Sequence, residues 1–353
     1  MRIFRWIAAA LIVAYLIFTP PIIRQGLARD PYRDWLTPAT PAWRGRIEIW
    51  HIAGFKVYQG SVTHYLEERA EAYCQAHAGV HIEIVGMTRG QYEARVARGA
   101  FPDAYSFPGG LVYAEQLRAA DYAAVEYRGG LGAVPRGGET LAVPWLMSGY
   151  FLVCNTQLLA QNRMELPESA DTAVLQQALD MGQLEMPAVL AARAGLEGTL
   201  AEAGSFEKGR CMLAVLDARA LGELRRGGKL LVSALPFGPY SDELQYLGAS
   251  SRTDAKRAAI VADFAAFLLS DAEQERLSQL GALPVTAASA PVYAEELLSG
   301  WLAACPEPLC PEPFLYQRHL AALEDEALAA LAGDENAKKS FSERMAVVEN
   351  GEL

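Results

Sequence analysis

The chain has 353 residues, 52% of them hydrophobic and 21% charged. That excludes a disordered or collagen-like polymer and leaves room for two lobes of roughly 120 to 170 residues. It carries 42 acidic against 31 basic residues. Seven Arg lie within residues 1–46, so the remainder is more acidic still, near −16. A body of that sign argues against nucleic-acid binding by phosphate neutralisation.

In chain order, Arg2 and Arg5 precede an uninterrupted apolar run from Trp6 to Phe18, with no further charge until Arg24. The run has the length of a signal-peptide core, and with the following TPPII it just reaches the roughly 18 residues a bilayer span needs. No small-x-small cleavage site follows directly, and no Cys stands near the boundary to carry a lipid. Residues 1–24 therefore read as a signal peptide or membrane anchor, with an uncleaved anchor favoured, and 25–45 as a tether.

The body opens at Arg46 with a short apolar strand. A helix opened by Gly60-Ser61 follows, with Val62, Tyr65, Leu66, Ala70, Tyr73 and Cys74 at helical spacing. A strand over 80–87, a helix around 92–96 and a strand over 101–107 complete a βαβαβ layout, which predicts a parallel sheet with helices on its faces. A Gly-rich stretch, 128–140, leads into a strand pair over 141–155. Residues 157–203 are helical in pattern, and strands are expected within 206–216 and 230–237. Two helices fill 253–281, the second opened by a Ser270-x-x-Glu273 capping box and closed by Gly281. One more amphipathic helix covers 315–332, and 333–353 read as a polar tail.

Five cysteines are no disulfide scaffold. Cys74, Cys154 and Cys211 sit in apolar patterns as buried thiols, whereas Cys305 and Cys310, in a Pro-rich loop, could bridge in an oxidising compartment. His77 and His81 are separated by a helix break, and no HExxH, GxSxG, GxGxxG or Walker loop occurs. Catalysis has no positive support, no cofactor is expected, and binding is the leading class. Aromatic residues gather where strands end: Trp50 with His51, Phe107, Trp145 with Tyr150, and Tyr240. Ligands of open α/β sheets sit beyond the carboxyl ends of strands, and flat ring faces with a few polar groups suit sugars. The competing reading is that these rings are core or interlobe packing.

Several segments, in order, resemble the bacterial extracellular solute-binding proteins of the sugar-type family 1 that serve ABC importers. The stretch from RIEIWHIAGF to FPDAYSFPGG, with AGVHIEI and Pro102-Asp103 inside it, is similar to that family's first lobe. AVPWLMSGYFLVCNTQLL looks like its lobe crossing, SFEKGRCMLAV like its "F..Gk.AM" turn, and 247–285 like its return crossing and helices. The resemblance covers about 60% of the chain. It implies an α/β, two-lobe periplasmic-binding-protein-like fold of type II, with a shortened second lobe and an N-terminal membrane helix. Lobe 1 would be 46–125 plus 248–284, and lobe 2 would be 126–247 plus 285–332. By analogy Trp50, His51, Phe107, Trp145, Tyr150 and Tyr240 would face the cleft, with Ser61, Ser106 and Ser148 as hydrogen-bonding partners.

The function so implied is capture of a small solute, a carbohydrate first, by a monomer held at the outer face of the membrane and presenting its cargo to ABC permease subunits. Three departures from the family stand out: little sequence between Leu159 and Ser205, no lipid-anchoring Cys, and no match to the second lobe's Asn- or Asp-rich sugar contacts. They keep open a second reading, a non-transporting sensor or scaffold that reuses the fold.

Overall fold

The computed structural model describes residues 43–350; the expected signal or anchor, 1–24, lies outside them. Eleven helices and ten strands are described below, and none of the described helices is long and apolar enough to cross a membrane.

The first half begins as the pattern predicts. Strand β1 (Gly45–Ile52) pairs in parallel with β2 (Val80–Met87) over its whole length and, on its other side, with β3 (Ala104–Pro108). Helix α1 (Val62–Ala76) connects β1 to β2; the Ser61 side chain accepts from the His64 N–H and so caps it. Its buried face is Tyr65, Leu66, Ala70 and Tyr73. Helix α2 (Arg89–Ala97) starts with a true capping box, Thr88 with Gln91.

Three further strands complete the sheet: β5 (Glu139–Met147), with β4 (Val134–Arg136) on its edge, and β10 (Leu244–Ala249), which inserts antiparallel between β3 and β5. The order is β2-β1-β3-β10-β5-β4. This corrects the expected boundary: residues 134–147, assigned to the second lobe, hydrogen-bond into the first sheet. The crossing falls at Ser148-Gly149, between β5 and β6 (Tyr150–Asn155). A continuous apolar run through both strands hid it.

The second sheet has the order β7-β8-β6-β9, with β7 (Leu184–Glu185), β8 (Leu213–Asp217) and β9 (Val232–Phe237). Its short helices are α3 (Thr156–Gln161), α4 (Thr172–Asp180), α5 (Ala188–Arg193) and α6 (Ala218–Gly227). Helices α7 (Ala255–Leu268) and α8 (Asp271–Arg276) return to the first half, where the Tyr65 hydroxyl donates to the Glu273 carbonyl and that of Tyr73 to Asp263.

The expected capping box at Ser270 does not form. The Ser270 hydroxyl turns back to the Phe267 carbonyl at 2.8 Å, and Glu273 is buried against Arg69 at 3.2 Å. The chain then passes to α9 (Glu296–Ala304), α10 (Pro313–Leu331) and α11 (Glu335–Asn350). Helix α11 replaces the expected polar tail: Phe341, Met345 and Val348 are buried, at i, i+4 and i+7, against the second half.

One apolar core fills the first half and runs on to one face of the second sheet, through Phe151, Val153, Leu221, Leu298 and Trp301. A separate core lies on the other face beneath α4, α5, α10 and α11. All five cysteines are free, including Cys305 and Cys310, for which a bridge was considered.

Candidate ligand site

Strands β1, β3 and β5 end at one edge of the first sheet, and antiparallel β10 begins there. This gathers four residues. Ser106 Oγ lies 3.0 Å from His51 Nδ1 and accepts from Trp145 Nε1 at 3.3 Å and from Gln245 Nε2 at 3.2 Å. Gln245 Nε2 also donates to the Ile52 carbonyl. With two donors already on Ser106 Oγ, its own hydrogen points to His51 Nδ1, which fixes the neutral imidazole with its proton on Nε2. That Nε2 is buried without a partner.

Burial pushes the His51 pKa down to about 4. The unfolded chain binds a proton near pH 6.5 that the folded chain refuses, so the contribution of this site is fully present above pH 6.5 and is lost as pH falls towards 4. The loss amounts to about 3 kcal/mol. A His51→Gln variant, followed by urea unfolding between pH 4 and 8, should lose that part of the acid-side slope.

The structure brings some of the sequence-selected residues together and buries nearly all of them. Trp50, His51, Ser106, Phe107, Trp145, Ser148 and Tyr240 are each no more than 2% exposed. Trp50 points away from the network, edge-on to Tyr105 with Arg95 over its face at 5.3 Å, and donates to Glu48. Phe107 stacks on Tyr246, and Tyr240 lies in the second core beneath Arg193 at 5.0 Å. Ser61 is exposed and acts as the helix cap. Tyr150 donates to Asp242 at 2.7 Å, and Tyr316 of α10 donates to the same carboxylate at 2.6 Å. In this conformation none of the buried rings offers a free face to a guest, and packing is what they do.

The two halves touch directly. The Tyr58 carbonyl, in the loop after β1, accepts from Arg226 of α6 at 3.1 Å, and a Cβ added at Gly222 would come within 2.6 Å of that carbonyl. On the other side the segment between α9 and α10 lies across the crossing. The Gly110 N–H donates to the Pro313 carbonyl, that of Ser241 to Leu309, and that of Glu312 to Val348, at 2.8–2.9 Å.

Beside this segment the chain leaves a crevice of about 490 Å³ that the sequence did not reveal. Leu131 and Val134, with Leu244 and Tyr246 of β10, form one wall; Phe314 and Leu315 of α10 form the other. Arg136, Arg318, Glu312 and Glu349 supply its charge. Arg136 pairs with Glu115, and Glu349 with Arg193. Burial raises the Glu312 carboxyl above its ordinary value, partly offset by the backbone N–H groups of Leu315 and Phe314. The one local sign was the amphipathic start of α10 directly after a Pro-rich loop. Among the described residues no group of three or more His, Cys, Asp or Glu is placed to hold a metal.

No protein-family model matches the sequence, and no curated protein matches it. Solved structures do match. The cyclic α-maltosyl-1,6-maltose binding protein of Arthrobacter globiformis superposes with a TM-score of 0.64 at 17% identity, over 87% of this chain and 99% of that one. The GacH receptor of Streptomyces glaucescens, solved unliganded and with acarbose, gives 0.60 at 15% identity over 87% and 99%. UgpB of Mycobacterium tuberculosis, solved with glycerophosphocholine, gives 0.61 at 14% identity over 88% and 99%. The chain therefore has the two-lobed α/β fold of these binding proteins, along nearly their whole length.

Proposed function

We propose that the chain is the extracytoplasmic solute-binding component of an ABC importer, without enzymatic activity, which captures a carbohydrate between its two halves and hands it to permease subunits. The observation that carries this reading is the crevice between the start of β10 in the first sheet and the α10 wall of the second half, in a fold whose solved neighbours include binders of maltosyl sugars and acarbose. The mechanism is closure about the crossings at Ser148-Gly149 and 238–243. The solute favours the closed form by touching both walls, and no bond is made or broken. Binding as a monomer, and retention at the outer membrane face through residues 1–24, belong to the same proposal.

The test is thermal unfolding against a panel of maltooligosaccharides, cyclic glucans, glycerophosphodiesters and amino acids. A solute at 100 times its Kd should add about 2.7 kcal/mol of stability. Gly132 lines the crevice and has open space around its Cβ position, so Gly132→Trp should remove the shift and leave the unliganded midpoint in place.

The sealed rings and the direct contacts between halves favour one second reading, a sensor or scaffold that reuses the fold. A panel with no active solute, together with capture of a membrane partner by the unliganded chain, would favour it over transport.

A further inference from the structure

Glu243 stands where the halves are joined. It is the last residue before β10; its N–H donates to Ser241 Oγ and its carbonyl accepts from the Ser148 N–H at 2.9 Å, while Ser241 Oγ donates to the Ser148 carbonyl. Both crossings are thus tied at this residue. Its side chain is 7% exposed, and Oε2 has no hydrogen-bond partner. The titratable groups facing it come from three elements: Asp217 from the end of β8 in the second half, Asp242 from its own connection, and Tyr150 from the start of β6. No cation is among the groups acting on it.

Asp217 and Asp242 have their charge supported elsewhere. Asp217 accepts the Ala220 N–H at the start of α6, and Asp242 accepts two tyrosine hydroxyls. Glu243 has less: Oε2 has no partner, and the Ser148 hydroxyl offsets only part of the desolvation and the two like charges, which hold its carboxyl well above the ordinary range. The arrangement departs from a structural acid, which would find a partner for both oxygens.

We propose that closure of the two halves takes up one proton from water at Glu243, so that the closed form is favoured at low pH and opening releases the proton as the carboxyl meets solvent. This rests on the reading of the chain as a hinged binding protein and names how its closure is regulated. A closed state that holds the proton and an open state that loses it differ tenfold in relative population for each pH unit between their two ionisation points.

Hydrogen–deuterium exchange of the full chain without solute tests it, with rates corrected for the intrinsic pH dependence and read on peptides covering 146–151 and 238–246. Protection in these peptides should fall by up to tenfold per pH unit once pH passes the ionisation point of a solvated glutamate, about 4 to 5, while the 45–52 peptide of β1 stays level. Glu243→Gln keeps the shape and cannot ionise, and should flatten the profile. Asp217→Asn keeps the α6 cap, removes a facing charge from the closed form, and should lower the pH at which the fall levels off while leaving its onset in place. A level profile in the native chain, or the same slope in Glu243→Gln, overturns the coupling. Solute binding is measured separately: a chain that binds solute with a level profile loses only this inference, and a chain that shows the slope but binds nothing loses only the transport reading.

Discussion

Trp301→Ala should cost about 3–5 kcal/mol, the range for removing a fully buried large ring. Trp301 of α9 is completely buried and packs on the crossing itself: a Cβ added at Gly149 would lie 2.5–2.8 Å from its indole, so the glycine exists to admit the ring. Cys305, one turn on, packs in the same way against Gly238 of the other crossing. The indole N–H has no partner, which makes the contribution one of packing and leaves no orphaned acceptor behind. Trp301→Phe, which keeps a ring and removes the unpaired donor, should lose less than half as much. Urea unfolding at constant slope would measure both. Equal losses in the two variants would show that the N–H does have a partner and that packing is the smaller effect.

Asp103→Ala should be the next largest, about 2–4 kcal/mol, because one carboxylate serves three donors. Oδ2 accepts the Glu48 N–H of β1 at 3.0 Å; Oδ1 accepts the Thr253 hydroxyl at 2.9 Å and Arg257 of α7 at 2.7 Å. The side chain therefore ties the first strand to the returning helix, whose Arg257 lies 154 residues beyond Asp103 along the chain. Asp103→Asn keeps one acceptor and should recover part of the loss, mainly that from the strand N–H. If Ala and Asn variants unfold at the native urea midpoint, Asp103 is a surface residue with dispensable contacts.

Asp103 was visible in the sequence as part of the Pro102-Asp103 pair, and so was most of the local architecture around it. The apolar run of β1, the alternation of β2 and the helical spacing of α1 are each written within fifteen residues, and the Gly60-Ser61 opening of α1 agrees with them. What failed was information that adjacency does not carry. Trp50 and His51 are neighbours on a strand and so must point to opposite faces; one entered the packing against Tyr105 and the other the polar network. A cluster of rings at strand ends cannot say which faces are covered. The lobe boundary was missed because β5 and β6 share one apolar run across Ser148-Gly149. Helix α11 was overlooked because its exposed residues are charged, although Phe341, Met345 and Val348 had the required spacing. The crevice joins Leu131 to Phe314, and no local pattern encodes a pair so far apart.

The position of β10 in the middle of the first sheet has a consequence for biosynthesis. Until residue 249 has left the ribosome, β3 and β5 have no strand between them, and each presents an unsatisfied edge. The amino-terminal half cannot complete its hydrogen-bonded ladder early, and the pairing it awaits is of high sequence separation and intrinsically slow. The first sheet therefore closes only once residues on both sides of the crossing, from β1 through β10, have all been made.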